Sequence, residues 1–299
     1  MHSLSTVFLM NQFFMSPLPC GSSLALFLCP QPEVSVMTIN NCCAPEKEQT
    51  LNPIKEFYNQ AALGGSGYSQ GTDKFSPSAP TESILRYIGA LQPATLLDIG
   101  CGMGTTLFDA AESLQRPDKI IGIDFSDNMI KLARKRKAES ASPVTEKMAF
   151  FVADAQDLPF MDNSFDFIYS ECVLNLVPDR NKVLEEVHRV LSPGGVFIYT
   201  DFVAFEAVPQ HIRDNINLMS GCRAGSLLLS ENIAFLEKNG FTSFVVENHT
   251  EDKNLRYAEM LENSEEYKKQ YEELRGKDPD TSFFIENKLG YYLVSSIKK

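Results

Sequence analysis

The 299-residue chain has no apolar run of the roughly 20 residues that a bilayer-spanning helix needs. It also has little positive charge, since 27 lysine and arginine residues stand against 39 aspartate and glutamate residues and leave a net charge of −12. An acidic surface repels phosphate backbones and anionic lipids. We therefore expect a soluble, cytoplasmic protein that binds neither nucleic acid nor membranes.

The sequence lacks any Cys-x-x-Cys motif, which argues against a zinc ribbon or a thioredoxin-type redox site. The cysteine number is odd and the spacing irregular, in a chain much longer than a disulfide-stapled scaffold, so we expect no disulfide framework. The thiols are therefore predicted to be reduced and available for binding or catalysis. The seven cysteines are Cys20, Cys29, Cys42, Cys43, Cys101, Cys172 and Cys222.

The first 36 residues contain neither lysine nor arginine, and Glu33 is their single acid. A secretory signal needs a basic start and a transit peptide is rich in arginine, so neither pattern is met. We interpret residues 1–50 as a disordered or loosely ordered extension. Two alternatives stay open for its first part: an upstream start, with the true start at Met37, or a weak targeting peptide.

From Thr81 onwards, short apolar strands alternate with amphipathic helices. This alternation is typical of right-handed βαβ units. We predict an α/β fold with a doubly wound, seven-stranded, mostly parallel sheet, to which residues 251–299 add a C-terminal α/β extension with a helix over 255–275. The predicted strands cover residues 95–99, 119–124, 148–153, 165–170, 196–201, 241–247 and 289–297.

A glycine-rich turn, Asp98-Ile99-Gly100-Cys101-Gly102-Met103-Gly104, follows the first predicted strand. Glycines let the backbone turn sharply and approach a ligand closely at the start of a helix. Asp124 ends the second predicted strand, where a carboxylate can accept both hydroxyls of a ribose. Asp154 follows the third strand. The pattern predicts a nucleotide-type cofactor at this edge of the sheet.

These segments, with Ala153–Phe160 and Leu191–Gly195, resemble the class I S-adenosylmethionine-dependent methyltransferases over residues 84–247. A nicotinamide-binding domain usually spaces its glycines as GxGxxG and lacks the preceding acid. The resemblance implies S-adenosyl-L-methionine as the cofactor of a domain spanning residues 51–250. The cofactor-binding residues that it implies are Asp98, Gly100, Cys101, Gly102, Gly104, Asp124, Phe125, Asp154 and Ala155.

Two cysteines follow the fourth and fifth predicted strands: Cys172 in SECVLNLVPD and Cys222 in SGCRAGS. The carboxyl ends of parallel strands surround the ligand crevice of such a sheet, so both are predicted to lie near the acceptor. Either cysteine alone is typical of a small buried hydrophobe. Together the two segments resemble the arsenite methyltransferases, whose thiolates bind trivalent arsenic. The resemblance implies that Cys172 and Cys222 are the catalytic, arsenic(III)-binding pair.

One expected thiol is missing. Arsenite methyltransferases usually carry a cysteine upstream of the glycine turn, whereas residues 68–71 read Tyr-Ser-Gln-Gly here. Either Cys42 or Cys43 is the third ligand, or a two-thiolate site prefers an already methylated arsenical such as monomethylarsenite. We interpret residues 64–80 as an ordered lid over the cofactor.

Soft thiolates bind trivalent arsenic in preference to oxygen or nitrogen ligands. Sulfur-bound arsenic keeps a lone pair, so methylation needs alignment and a dry cavity rather than a general base. The implied function is arsenic detoxification by methylation, with a thiol reductant such as glutathione or thioredoxin as partner. Two alternatives stay open: methylation of carbon, oxygen or nitrogen in a small natural product or quinone, and a non-catalytic metalloid-binding protein.

Overall fold

The structure is a computed structural model that describes residues 53–65, 79–213, 222–263, 265, 268–269 and 288–299. The predicted extension at 1–50, with Cys42 and Cys43, lies outside the described residues, as does most of the predicted lid at 64–80. Within the described part of the chain, no helix has the length and hydrophobicity to cross a bilayer.

A single mixed sheet forms the centre of the molecule. Seven strands follow the order β3-β2-β1-β4-β5-β8-β7, and a two-residue strand, β6, pairs with the end of β5. β1 to β5 pair in parallel, whereas β8 is antiparallel to both β5 and β7. The predicted doubly wound, mostly parallel sheet is confirmed. Its strands are β1 (Thr95–Ile99), β2 (Lys119–Asp124), β3 (Met148–Val152), β4 (Phe165–Glu171), β5 (Leu191–Ala204), β6 (Leu227–Leu228), β7 (Phe241–Asn248) and β8 (Leu289–Lys298).

Eight α-helices are seen in the described residues, with a π-helical turn at Ala61–Gly65 and a 3-10 turn at Pro143–Lys147. The starts of two elements differ from the sequence prediction by five residues. β5 begins at Leu191 and contains Pro193-Gly194-Gly195, with an irregular register against β4. The last described helix begins at Thr250 rather than residue 255. The helices are α1 (Pro53–Gln60), α2 (Ala79–Leu91), α3 (Thr105–Ser113), α4 (Asp127–Glu139), α5 (Arg180–Val190), α6 (Gln210–Arg213), α7 (Leu229–Lys238) and α8 (Thr250–Asn263).

Hydrophobic cores lie on both faces of the sheet. Successive strand residues point to opposite faces, so Leu97 and Ile99 of β1 belong to one cluster and Leu96 to the other. Residues of α5 and α7 pack in the first cluster, and residues of α2, α3 and α4 pack in the second. Burial on both faces explains why the parallel strands are continuous apolar runs.

The strand order reverses at β1, which has β2 on one side and β4 on the other. In open α/β sheets, ligands bind at this switch point, beyond the carboxyl ends of the strands. The turn after β1, the last residue of β2 and the segment after β4 therefore meet at one edge. The sequence pattern predicts ligand-binding residues in all three segments.

Ser126 is the N-cap residue directly before α4 and links that helix to α1 beside this edge. Its Oγ accepts the Met129 amide at 3.2 Å and donates to Asn59 Oδ1 at 2.7 Å. The Asn128 amide also donates to Asn59 Oδ1, at 3.3 Å. One serine thus caps α4 and holds α1 against it.

We predict that Ser126→Ala lowers the free energy of unfolding by about 1–2 kcal/mol, because an N-cap bond and a buried hydrogen bond are both lost. Urea denaturation measures this change. Ser113→Ala, at an exposed position in α3, is the matched control and should shift stability by less than about 0.5 kcal/mol. Equal effects of the two substitutions would contradict the prediction.

Candidate functional site

A cavity of about 310 Å³ lies at the carboxyl ends of β1, β2 and β4. Of the nine predicted cofactor-binding residues, two lie outside its lining, Asp98 and Gly104. The structure therefore brings most of the predicted set to one cavity. The seven that line it are Gly100, Cys101, Gly102, Asp124, Phe125, Asp154 and Ala155.

The glycine turn has backbone angles that are unfavourable for residues other than glycine. Gly100 and Gly102 have φ angles of +78° and +53°, in the left-handed region. A Cβ on Gly100 would lie 2.2 Å from Val173 Cγ2, whereas a Cβ on Gly102 would meet no atom within 4 Å. Gly100 therefore allows close packing against the segment after β4. Gly102 leaves the cavity side of the turn open.

Asp124 fastens this turn to the end of β2. Its carboxylate accepts the Gly102 amide at 2.9 Å and the Ser126 amide at 2.8 Å. An ionised carboxylate has about four acceptor positions, so two remain for other donors. Burial raises the pKa of Asp124, and the two amide bonds oppose that rise. The group fits the paired hydroxyls of a ribose.

The cavity lining also contains an acid close in sequence to apolar groups. Asp154 is exposed and accepts the Gln156 amide at 2.8 Å, and the neighbouring Ala155 is buried. The rings of Phe125 and Tyr58 lie with centroids 6.0 Å apart. An acceptor next to aromatic and methyl surface fits a purine with an exocyclic amine.

Glu171 is a lining acid that the sequence analysis missed. It accepts the hydroxyls of Thr81 and Thr106 at 2.8 and 2.7 Å, and burial raises its pKa. Its position as the last residue of a parallel strand, directly before Cys172, was the available signal. A carboxylate on this wall suits the ammonium group of a methionine moiety.

Asp98 lies beneath the turn rather than in the cavity lining. It is 3% exposed and accepts the Tyr169 hydroxyl at 2.9 Å. Burial and the nearby charge of Glu171 hold the pKa of Asp98 well above its usual value. Gly104 is also structural, because a Cβ there would lie 2.9 Å from the ring of Phe150. Asp98 and Gly104 therefore stabilise the glycine turn from outside the cavity lining.

Cys172 and Cys222 meet, although 50 positions separate them in the chain. The Cys222 thiol donates to the Cys172 carbonyl oxygen at 2.9 Å. Cys172 lines the cavity and Cys222 is buried next to it, in a cluster with Ile54 and Leu176. Both are free thiols. The neighbouring Cys222 side chain and burial raise the pKa of the Cys172 thiol well above its usual value.

Both cysteines have left-handed backbones, with φ angles of +56° for Cys172 and +59° for Cys222. Such angles are uncommon outside glycine and cost of order 1–3 kcal/mol, so the surrounding structure must impose them. Strain of this kind clusters at functional sites.

A buried polar cluster imposes this arrangement. The Asn175 side chain donates to Asp201 Oδ1 at 2.7 Å and to the Cys222 carbonyl at 2.9 Å. Arg180 donates to Asn175 Oδ1, and also to the Gly225 carbonyl at 3.2 Å. A Cβ on Gly225 would lie 2.0 Å from the Asn175 carbonyl oxygen. The segment after β4 and the segment carrying Cys222 are thereby joined.

No group of three or more histidine, cysteine, aspartate or glutamate side chains suited to a metal ion occurs among the described residues. The candidate third thiols, Cys42 and Cys43, lie outside that part of the chain. His188, His211 and His249 lie outside the cavity lining. Among the described residues, Cys101 of the glycine turn also lines the cavity, and Cys172 and Cys222 are the two thiols that follow β4 and β5.

We predict that Asp201 makes stability depend on pH. Burial raises the pKa of Asp201 to about 7, against about 3.9 in an unfolded chain. Folding therefore takes up a proton between these values, and the resulting stability is complete below pH 4 and lost as pH rises through 7. The neutral Asp201→Asn variant lacks this dependence.

In urea denaturation, the stability of the wild-type protein relative to Asp201→Asn should fall by about 2 kcal/mol between pH 5 and pH 7, at roughly 1.4 kcal/mol per pKa unit. Asp157→Asn replaces an exposed acid and should track the wild type at every pH. Parallel pH profiles for the wild type and Asp201→Asn would contradict the assignment.

The sequence matches a known domain family and is similar to several known enzymes. A model of the methyltransferase domain matches residues 92–287. The arsenite methyltransferase of Halobacterium salinarum is 31% identical over 202 residues, 67% of this chain and 49% of that protein. The demethylmenaquinone methyltransferase of Lactococcus lactis is 38% identical over 111 residues, 37% of this chain and 43% of that protein. The chain spans about half the length of the curated relatives it matches.

The fold also has solved counterparts. The arsenic(III) S-adenosylmethionine methyltransferase of Chlamydomonas reinhardtii superposes with a TM-score of 0.53 at 22% identity, covering 75% of each chain. The domain match extends over well more than half of the sequence and includes the glycine turn, Asp124 and both thiols. The chain therefore belongs to the methyltransferase-domain family, within the class I S-adenosylmethionine-dependent methyltransferases.

Proposed function

We propose that the protein methylates a trivalent arsenical bound by Cys172 and Cys222, and that monomethylarsenite is preferred over arsenite. The observation that carries the proposal is the meeting of two thiols, from segments 50 residues apart, at the wall of the cofactor cavity. The arsenite methyltransferase match over 67% of the chain supports the same acceptor.

S-adenosylmethionine supplies an electrophilic sulfonium methyl group when it is bound. Gly100, Gly102 and Asp124 bind the cofactor at one side of the cavity, and Asp154 with Ala155 receives its adenine. Glu171 holds the positive amino-acid end. The acidic lining suits a cationic ligand, because nearby carboxylates stabilise positive charge.

On the other side, Cys172 and Cys222 bind arsenic as thiolates and leave its lone pair free. The buried cluster of Asn175, Arg180 and Asp201 holds the segment after β4 against the segment that carries Cys222. Ile54 and Leu176 pack beside the thiols and exclude water. These residues supply the orientation and the dry surroundings that methyl transfer to a soft nucleophile requires.

A thiol reductant such as glutathione or thioredoxin is the proposed partner. Both electrons of a new arsenic–carbon bond come from the arsenic lone pair, so the formal oxidation state of arsenic rises by two. A dithiol or two thiols restore the trivalent state by being oxidised to a disulfide.

A second candidate is methylation of carbon, oxygen or nitrogen in a small natural product or a quinone. The match to a demethylmenaquinone methyltransferase favours this candidate. The match aligns 111 residues, which is shorter than the stretch of chain from Asp98 to Cys222. That match therefore cannot include both the glycine turn and the two thiols. A non-catalytic metalloid-binding role is the third candidate, and absence of methyl transfer with intact arsenical binding would identify it.

We predict that Cys172→Ser and Cys222→Ser each abolish methylation of monomethylarsenite and leave S-adenosylmethionine affinity unchanged. Serine is nearly isosteric but stays protonated and is a hard, poor ligand for arsenic. Product analysis measures the first effect and calorimetry the second. Cys42→Ser and Cys43→Ser are the controls and should retain this activity, although a third ligand would be needed for arsenite. Full activity in either Cys172→Ser or Cys222→Ser favours the small-molecule methyltransferase.

We also predict that Asp124→Asn weakens S-adenosylmethionine binding about 10- to 100-fold, since a hydrogen bond to a charged group contributes about 1.5–3 kcal/mol. Asparagine keeps the shape but loses acceptor positions. Calorimetry on the folded variant measures the dissociation constant. Asp157→Ala, at an exposed acid outside the cavity lining, should bind as the wild type does. Unchanged affinity in Asp124→Asn would remove Asp124 from the cofactor site.

A further inference from the structure

Tyr291 on β8 contacts the thiol that lines the cavity. Its hydroxyl lies 2.9 Å from Cys172 Sγ and 3.1 Å from Thr200 Oγ1. The contact joins residues 119 positions apart. It exists because β8 pairs antiparallel to β5, with Tyr291 opposite Phe202. No motif in the sequence pointed to this tyrosine.

Thr200 holds both partners of this contact. Its carbonyl oxygen accepts the Cys172 amide at 2.8 Å, and its hydroxyl lies against Tyr291. The Phe202 ring packs edge-on against the Tyr291 ring, with centroids 5.1 Å apart. The Thr200 hydroxyl and the Phe202 ring therefore hold the Tyr291 side chain in place.

The ligand state of Cys172 decides the direction of the hydrogen bond. A thiolate that binds arsenic has no proton, so it can only accept. Tyr291 must then donate its single proton to Sγ, and Thr200 must donate to the tyrosine oxygen. Hydrogen bonds from outside the ligand set orient ligands in this way in protein metal sites.

We propose that Tyr291 is a positioning residue for Cys172, whose hydroxyl, oriented by Thr200, donates to the arsenic-bound sulfur and holds it at the cavity wall. The inference rests on the proposed function, because it assigns a role toward the thiolate that binds the arsenical. It extends the acceptor site onto β8, a strand of the C-terminal segment outside both cysteine motifs.

The experiment measures binding of phenylarsine oxide to the full-length protein without cofactor. Two thiols displace its oxygen as water and form two arsenic–sulfur bonds, so no oxidant or reductant is needed. Steady-state kinetics with monomethylarsenite supply a second readout. The variants are Tyr291→Phe and Thr200→Val. Tyr292→Phe is the matched control, because the next residue of β8 accepts from Asn248 rather than contacting a thiol.

Tyr291→Phe should bind phenylarsine oxide about tenfold more weakly, with a lower kcat and an unchanged KM for S-adenosylmethionine. Thr200→Val should weaken phenylarsine oxide binding and lower kcat by a smaller factor. Tyr292→Phe should match the wild type in both measurements. If Tyr291→Phe fails to fold, as judged by circular dichroism, the Thr200→Val result decides.

Wild-type binding and kcat in Tyr291→Phe, or in Thr200→Val where only that variant folds, would overturn the inference. An equal loss in Tyr292→Phe would overturn it as well, since it would reveal a general weakening of β8. Cys172→Ser separates these outcomes from failure of the proposed function. If Cys172→Ser loses phenylarsine oxide binding, the arsenical site stands whatever Tyr291 does. If Cys172→Ser binds as the wild type does, the proposed function and the role of Tyr291 fail together.

Discussion

The buried hydrogen bonds from the Asn175 side chain, to the Asp201 carboxylate of β5 and to the Cys222 carbonyl, join the two segments from which the proposed acceptor site is built. The Asn175 side chain donates hydrogen bonds to the Asp201 carboxylate and to the Cys222 carbonyl, and its oxygen accepts one from Arg180. Removing one member would leave a buried charge or amide without its partner, which costs far more than an exposed hydrogen bond contributes. The left-handed backbones of Cys172 and Cys222 depend on this cluster, because nothing in a cysteine favours such a conformation.

The two sides of the site have different physical demands. The proposed cofactor side consists of backbone turns and carboxylates at the ends of β1, β2 and β4. The proposed acceptor side requires two distant loops to meet within hydrogen-bonding distance. Proteins with the same fold therefore often act on different acceptors, because function depends on the residues of the site rather than on the fold.

Buried acids give the cavity its electrostatic character. Asp124 and Glu171 line the cavity, and Asp98 lies beneath the glycine turn. Burial raises the pKa of all three, because the charged form of a carboxylate loses its hydration. A positively charged ligand beside Asp124 and Glu171 stabilises their ionised forms and is stabilised in return. The thiol side is different, since the pKa of Cys172 is also raised and the resting sulfur is neutral. The cavity thus combines an acidic wall with a soft, uncharged one.

Elements whose signals are local could be predicted from the amino-acid sequence alone. β1 and β2 begin and end where the apolar runs do, and the glycine turn with Asp124 lies where strand-ending motifs predict. Periodicity and turn chemistry act over a few residues, so they can be read without a fold. Three contacts became visible only in the folded chain: Cys222 against Cys172, Glu171 in the cavity lining, and Tyr291 against a thiol. Those contacts depend on strand order and on the antiparallel register between β5 and β8, and hydrogen bonds across such separations leave no periodic trace in the chain.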